Sequence, residues 1–227
     1  MSGSFLEHSM FHRVLYPPAD AGSAAADLML RRLLRFAPPP GLRLEDASII
    51  VFDFESTGLD TENDFIIEIG AEKLVNFEVV AEFSALVKPP VELSEQVTNL
   101  TGITPQMLAD KPRIAHVLPD FFDFIRGSLL VAHNADYDFR LMRAEASRLG
   151  FDLEWPCFCT LKMARELLPD IENRKLDTLA GHYGLSFGSR HRSMGDVRVT
   201  SDVLKKFVTE ESDDLDTWAD LQPFYSL

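Results

Sequence analysis

The chain has 227 residues, of which 46% are hydrophobic and 17 are Phe, and its net charge is −14. This length and composition predict one main domain with a sizeable core and a small appendage. No apolar run is long enough to span a bilayer, and the N-terminus lacks the charged start and apolar core of a secretory signal. We therefore expect a soluble, cytoplasmic protein and exclude membrane and secreted classes.

The negative charge is unevenly distributed. Residues 207–227 hold six acidic residues and no Lys or Arg, whereas residues 1–46 balance five acidic residues with five Arg. The remaining excess of eight negative charges lies in residues 47–206. Such a middle segment is either an ordinary solvated surface or a set of carboxylates gathered around divalent cations.

An N-terminal extension is predicted over residues 1–46. Residues 25–37, AADLMLRRLLRFA, are apolar at helical spacing, and the prolines at 38–40 end any helix. The extension therefore consists of a helix and a Pro-rich linker. We expect the helix to pack on the main domain in preference to docking a partner.

The main domain is predicted over residues 47–208 with an α/β fold. Apolar, β-branched runs predict five strands, at 47–56, 65–75, 78–88, 128–134 and 157–160. Helical spacing predicts helices at 94–102, 104–110, 116–127, after the cap Asn134, and at 161–168, 175–184 and 193–208. A strand meander followed by alternating helices and strands indicates a mixed five-stranded sheet with helices on both faces. Cys157 and Cys159 fall in the last strand and are expected to be reduced.

Two carboxylates, Asp53 and Glu55, end the first predicted strand. The period of two places both side chains on one face. Two adjacent carboxylates repel each other, so a buried strand end holds them only with a cation or a proton between them. The alternative is that one of them faces solvent.

The helix after Asn134 offers two further acids. At about 100° per residue, Asp138 lies on the apolar stripe with Leu141 and Met142. Asp136 lies on the other face, toward Arg140 and Arg143, where solvated ion pairs are usual. Asp138 is therefore predicted to point inward.

A fourth acid, Asp196, shares a stripe with Val199, Val203 and Phe207. The alternative is a capping box formed by Ser193 and Asp196. His191 would diverge from Asp196 by about 140° on one helix, so the two converge only if His191 lies in the preceding loop. A lone histidine is more commonly a surface or packing residue.

Four carboxylates with one loop histidine suit phosphodiester hydrolysis by two metal ions. Mg²⁺ prefers oxygen ligands. Two such ions about 4 Å apart can activate a water molecule and stabilise the leaving oxygen. His191 would accept the proton of that water, because the pKa of histidine lies near neutral pH.

Three segments carry a family resemblance. FDFESTGL (52–59), HNADYDF (133–139) and HRSMGD (191–196) resemble, in order and spacing, the motifs of DnaQ-like 3′-5′ exonucleases with an Asp-Glu-Asp-Asp-His site. The connecting segments IIEIGAEKL, LVKPP, LTGITPQML and RKLDTLAGHYGL are similar to those of bacterial replicative proofreading exonucleases of the DNA polymerase III epsilon type. The resemblance covers residues 47–208.

The resemblance implies a ribonuclease H-like fold, two Mg²⁺ or Mn²⁺ ions and release of nucleoside monophosphates from a 3′ end. By position in the motifs, the metal-holding residues are Asp53, Glu55, Asp138 and Asp196, and the general base is His191. The residues that match the pocket for the terminal nucleotide are Ser56, Gly58, Leu59, Thr101 and His133.

The chain differs at both ends from the replicative proofreading exonucleases that it resembles. Some 46 residues precede the first motif, and residues 209–227 form an acidic, then aromatic, tail in place of a polymerase-binding tail. LQPFYSL resembles a sliding-clamp peptide only distantly, and a packed or disordered tail is preferred. Two roles stay open. The protein either binds a polymerase or other partner through residues 1–46 or the tail, or acts as a free-standing repair or turnover enzyme.

The expected substrate is a single-stranded 3′ end, with DNA favoured and RNA or oligoribonucleotides as the alternative. A non-catalytic docking or regulatory protein on the same fold is the alternative of another class. Phosphate contact needs cations, and the candidates are Lys73, Lys88, Arg140, Arg143, Arg190 and Arg192. Phe54 or Tyr137 either stacks on bases or is simply buried.

Overall fold

A computed structural model of the protein describes residues 32–226, with side chains from residue 34 onward. Its strands are β1 Arg32–Arg35, β2 Ser48–Ser56, β3 Ile66–Val75, β4 Glu78–Leu86, β5 Leu129–Ala132, β6 Phe151–Glu154, β7 Cys157–Cys159 and β8 Tyr225–Ser226. Its α-helices are α1 Glu95–Thr101, α2 Pro105–Leu108, α3 Ile114–Ile125, α4 Ala135–Arg148, α5 Thr160–Leu167, α6 Leu176–Tyr183 and α7 Ser193–Lys206.

The main sheet is mixed and has the strand order β4-β3-β2-β5-β7-β8. β3 pairs antiparallel with β2 and β4, whereas β5 and β7 continue the sheet in parallel. The α/β fold with a mixed sheet is confirmed, but the sheet has six strands where five were predicted. The sixth is β8, which pairs antiparallel with β7. Two residues are too few to show a strand pattern in the sequence.

Helices cover both faces of the sheet, and alternation along β2 divides the core between them. Ile50, Phe52 and Phe54 pack in one cluster with α3 and α4. Ile49 and Val51 pack in the other with α5, α6 and α7. The odd-numbered residues at the end of β2 therefore face α7.

The prediction of a helix over residues 25–37 is wrong for residues 32–37, and residues 25–31 lie outside the described residues. Arg32–Arg35 instead form β1, which pairs in parallel with β6. Leu34 and Phe36 pack on the core, with the Phe36 ring 5.4 Å from that of Trp155, and Arg35 between them is exposed. This alternation has the period of a strand. Within residues 32–226, β6 pairs with no strand of the main sheet, so its backbone groups are free to pair with β1.

The segment after α7 packs on the domain as far as residue 226. A π-helical turn, Phe207–Glu211, follows α7, and a 3-10 helix, Trp218–Phe224, leads into β8. Leu215, Leu221 and Phe224 are buried in the core on the α7 side of the sheet. Cys157 and Cys159 are buried free thiols in β7, as predicted. No helix within residues 32–226 is long and apolar enough to cross a membrane.

Candidate active site

The C-terminal end of β2 carries Asp53 and Glu55 on the face that α7 covers. In the pairing with β3, Asp53 lies opposite Gly70 and Glu55 lies opposite Glu68. The register shifts directly after Glu55, where β2 ends at Ser56. The strand therefore presents two carboxylates side by side to the start of α7.

α7 approaches β2 and β3 closely because two positions lack side chains. A Cβ at Gly70 would lie 2.6 Å from Ser193 Oγ and 2.8 Å from the Met194 nitrogen. A Cβ at Gly195 would overlap the carbonyl oxygen of Ser189. The first turn of α7 consequently brings Asp196, which is 6% exposed, to the end of β2.

Three of the predicted carboxylates meet at this point. One oxygen atom from each of Asp53, Glu55 and Asp196 lies within 4.8 Å of the others. The alternative, a capping box of Ser193 and Asp196, does not form, because Arg192 is the N-cap residue of α7 and no side chain caps the helix from that position.

The fourth carboxylate, Asp138, enters from the first turn of α4. It is 3% exposed, and the Phe54 backbone N–H donates to its Oδ1 at 3.1 Å. Asp136 faces away and accepts from Lys162 Nζ at 3.1 Å. Asp138 therefore points inward, as its helical position predicts, whereas Asp136 pairs with Lys162 and not with the arginines of its own helix.

Burial and mutual repulsion make the four carboxylates hard to ionise together. The pKa of Asp53 is raised well above its ordinary value by burial first, then by Asp138, Glu55 and Asp196. Burial raises the pKa of Asp138 to about 8, that of Glu55 to about 7 and that of Asp196 to about 6. Full ionisation at neutral pH requires a compensating positive charge.

Arg190 supplies part of that positive charge. Its Nε and Nη2 donate to the two carboxylate oxygens of Asp177, at 2.9 and 3.0 Å, and its Nη1 donates to Asp196 Oδ2. The other oxygen, Asp196 Oδ1, is buried without a hydrogen-bond partner among the described residues. Clustered oxygen donors with one unsatisfied atom fit hard divalent cations such as Mg²⁺ or Mn²⁺.

His191 lies in the turn before α7, as predicted, with a left-handed backbone (φ 57°). Its backbone N–H donates to Asp196. Burial and the neighbouring Arg190 lower the pKa of its imidazole. The turn thus joins the histidine to the carboxylate group through the main chain.

Three of the predicted pocket residues lie at the end of β2 and in the loop that follows it. Ser56 Oγ and Tyr137 OH both donate to the Gly58 carbonyl oxygen at 2.6 Å, and the two hydroxyls are 2.6 Å apart. Leu59 follows and is 88% exposed. Hydrogen bonds therefore hold this loop, and the Leu59 side chain is left uncovered.

The other two pocket residues use their polar atoms within the protein. Thr101 is buried, and its hydroxyl donates to the Val97 carbonyl oxygen at 2.9 Å. His133 Nδ1 lies 3.0 Å from Thr160 Oγ1, and burial lowers the pKa of its imidazole to about 4. The structure therefore gives both residues internal hydrogen bonds.

Most cations suggested for phosphate contact are engaged elsewhere. Arg190 and Arg192 bind carboxylates, Lys73 lies over the Phe124 ring at 4.8 Å, and Lys88 Nζ donates to a backbone carbonyl at 2.6 Å. A sequence pattern identifies a basic residue but not its partner in the fold. It therefore could not exclude these four residues as phosphate contacts.

Comparison with known proteins identifies the family of this chain. The exonuclease family described as RNase_T matches residues 50–204, which is more than half of the chain and contains all four carboxylates. The chain belongs to this exonuclease family. The DnaQ-like resemblance of its motifs is thereby confirmed.

Relatives of this exonuclease-family chain include much longer proteins. It is 40% identical over 163 residues to a DNA polymerase III PolC-type of Caldanaerobacter subterraneus, covering 72% of this chain and 12% of that protein. It is 35% identical over 211 residues to a Mycobacterium tuberculosis protein whose name describes a bifunctional exonuclease/endonuclease, covering 88% of this chain and 32% of that protein. The chain thus spans only a small share of the PolC-type relatives.

A solved structure of exonuclease X in complex with 5′-overhanging duplex DNA is also similar. It superposes with a TM-score of 0.60 at 27% identity and covers 74% of this chain and 97% of that one. The ribonuclease H-like fold is thereby confirmed.

Sequence patterns missed two features of this exonuclease-family site. A groove of about 630 Å³ runs from Asp53 and Asp196 to three cations, Arg165, Arg174 and Lys175. Arg165 and Lys175 are exposed, and neither forms an ion pair within residues 34–226. Adjacent basic residues such as those in RKLD are common in solvated loops, so this pattern alone could not reveal the groove.

The second feature is Glu68, which is 4% exposed beside the carboxylate group. A charged residue inside the apolar run FIIEIGA was the available signal, because an unpaired charge is rarely buried in a strand.

Proposed function

We propose that this exonuclease-family protein removes nucleoside monophosphates from the 3′ end of single-stranded DNA in a metal-dependent reaction. The observation that carries the proposal is the approach of Asp53, Glu55 and Asp196 oxygens to within 4.8 Å. Asp138 is buried beside them. Carboxylates with raised pKa values at a groove are a frequent mark of catalytic sites.

Asp53, Glu55, Asp138 and Asp196 would hold two divalent ions, Mg²⁺ or Mn²⁺. When bound, the ions supply the positive charge that activates a water molecule and stabilises the leaving oxygen of a phosphodiester. The Phe54 backbone N–H fixes Asp138 Oδ1 at 3.1 Å and so orients this carboxylate before any ion binds.

His191 is proposed as the general base that accepts the proton of the attacking water. A lowered pKa keeps its imidazole neutral, and therefore able to accept a proton, at neutral pH. The exposed Leu59, beside Ser56 and Gly58, would contact the terminal nucleotide. Thr101 and His133 would shape this pocket by packing, because their polar atoms are already bonded.

DNA is favoured over RNA because exonuclease X, which shares this fold at 27% identity, was solved with a DNA duplex. The PolC-type relatives are DNA polymerases by name, which is consistent with proofreading or repair. Exposed Arg165 and Lys175 offer unpaired positive charge for the phosphates of the strand behind the 3′ end.

The test is digestion of 5′-labelled DNA and RNA oligonucleotides with Mg²⁺ or Mn²⁺, with and without EDTA. We expect a ladder that shortens from the 3′ end of DNA, release of mononucleotides and complete inhibition by EDTA. Preferred digestion of RNA would overturn the DNA assignment. Failure to release a mononucleotide from either polymer would leave a docking protein as the better description.

A further inference from the structure

A buried carboxylate on β3 contacts the turn that carries His191. Glu68 is 4% exposed. Both of its oxygens accept from Arg192 Nε at 3.1 Å, Oε1 also accepts from Arg192 Nη2 at 2.6 Å, and Oε2 accepts from the Ser193 backbone N–H at 2.9 Å. All three donor groups belong to the two residues that directly follow His191.

The turn needs this external support. His191 has φ 57°, in the left-handed region that costs a non-glycine residue about 1 kcal/mol. Arg192, the N-cap of α7, makes no side-chain cap hydrogen bond, so the turn does not hold the start of the helix by itself. The Ser193 N–H is one of the orphan donors of α7, and Glu68 satisfies it from another strand.

Carboxylates hold the turn on both sides of His191. Arg190 is bound by Asp177 at 2.9 and 3.0 Å, and Arg192 is bound by Glu68. A bidentate guanidinium–carboxylate pair fixes direction as well as distance. The Glu68 pair is the better shielded from solvent, since Asp177 is exposed and Glu68 is buried.

We propose that Glu68 is a positioning residue that sets the orientation of His191 through Arg192 and the start of α7. The proposal rests on the proposed function, in which His191 is the base. Glu68 lies outside the close carboxylate group, because its two oxygens are occupied by the turn and the group consists of Asp53, Glu55 and Asp196. Its role is therefore to position the base and not to bind an ion.

Removing the charge of Glu68 would release the turn while leaving the carboxylates in place. In Glu68→Gln, one oxygen becomes an NH₂ group that cannot accept from Arg192 or Ser193. The imidazole would then sample more orientations, and a misplacement of about 1 Å can cost on the order of a hundredfold in rate. The loss would fall on kcat, because binding of substrate and metal does not depend on the base.

Glu72→Gln is the matched control. Glu72 lies on the same strand, is 3% exposed and also faces α7, but it contacts Arg198 at 3.8 Å in the middle of the helix. Both variants remove one buried carboxylate between β3 and α7. Only Glu68→Gln loosens the turn.

The experiment is a double-mutant cycle of Glu68→Gln and His191→Ala, with kcat, KM, Mn²⁺ affinity and hydrogen exchange of residues 188–193 as readouts. We expect Glu68→Gln to lower kcat about 10- to 100-fold, with KM and Mn²⁺ affinity within about threefold. In the His191→Ala background the same change should cost less than about threefold, because the base is already missing. Arg192→Lys should cause an intermediate loss, and Glu72→Gln should stay within about twofold of wild type.

Equal losses in both backgrounds, or a large loss of Mn²⁺ affinity, would overturn the positioning role. Hydrogen exchange separates this proposal from the proposed function, because it requires no activity. We expect turn exchange about tenfold faster in Glu68→Gln than in Glu72→Gln. Unchanged exchange overturns the role of Glu68, whereas faster exchange in a protein whose wild type digests nothing overturns only the proposed function.

Discussion

Asp136 and Asp138 lie two residues apart in one helical turn, yet their surroundings are opposite. Asp138 is 3% exposed among other carboxylates, and burial raises its pKa to about 8. Asp136 is partly exposed and bound to Lys162 at 3.1 Å. At the scale of single residues, direction on the helix decides which of two identical groups faces the site.

Asp138→Ala is therefore expected to lower kcat by at least about 10³-fold, or about 4 kcal/mol in activation free energy. Asp136→Ala removes a partly exposed ion pair and should change kcat by less than about threefold and stability by less than about 1 kcal/mol. Steady-state digestion and thermal unfolding measure both, and Asp138→Asn controls for loss of volume. Equal activity losses in the two alanine variants would show that the face assignment is incorrect.

His191→Ala separates the proposed base from the proposed ion-holding residues. We expect kcat to fall by about 10²- to 10⁴-fold, the usual contribution of a general base, with Mn²⁺ affinity within about threefold of wild type. Calorimetric titration of Mn²⁺ beside single-turnover digestion checks both quantities. A titration in which affinity collapses while the rate with saturating Mn²⁺ is preserved would make His191 a ligand.

At the scale of elements, contact between β3 and α7 positions Asp196. Gly70 leaves room for the first turn of α7, since a Cβ there would lie 2.6 to 2.8 Å from atoms of Ser193 and Met194. Two of these nearest atoms belong to the backbone, so the helix itself must move to relieve the contact.

Gly70→Ala should destabilise the fold by about 1–3 kcal/mol and lower activity, because it pushes Asp196 away from β2. Gly181→Ala is the matched control: Gly181 lies inside α6, and a Cβ there would meet nothing within 4 Å. Alanine favours helix, so this control should gain about 0.5–1 kcal/mol. Denaturant unfolding and digestion by both variants test the contact, and wild-type activity in Gly70→Ala would count against it.

The sequence predicted these elements well where the pattern was long. β2 and the inward faces of α4 and α7 follow from alternation and helical spacing, and they place Asp53, Asp138 and Asp196. β1, β6 and β8 have at most four residues each, and only their pairing partners make them strands. Glu68 and Arg192 are far apart in sequence, so their ion pair could be found only in the folded chain.

At the scale of the whole molecule, the active site adds to an existing excess of negative charge. The chain carries −14 in total, three carboxylates converge on one point, and Asp138 is buried beside them. Such a site opposes folding when no cation is bound, because ionising buried carboxylates costs free energy. The stability of the metal-free protein should therefore fall as these carboxylates ionise.

The last prediction concerns this pH dependence. Asp138 and Glu55 have folded pKa values of about 8 and 7, against ordinary values of 3.8 and 4.5. The folded state therefore binds more protons than the unfolded state, and the free energy of unfolding falls as pH rises toward about 8. His133, with a pKa of about 4, acts in the opposite sense only below about pH 6.5.

Between about pH 6.5 and 8.5, the EDTA-treated protein should lose about 2 kcal/mol. This loss corresponds to roughly 4–8 °C in Tm for a chain of this size. Mn²⁺ should raise the Tm more at pH 8.5 than at 6.5, because ions and protons compete for the same oxygens. Asp138→Asn should flatten the metal-free profile and raise the Tm at high pH, since it removes the charge that is costly to bury. A metal-free Tm that stays constant across this range in the wild type would mean that the carboxylates ionise without penalty, and the argument for cations at this site would lose its electrostatic basis.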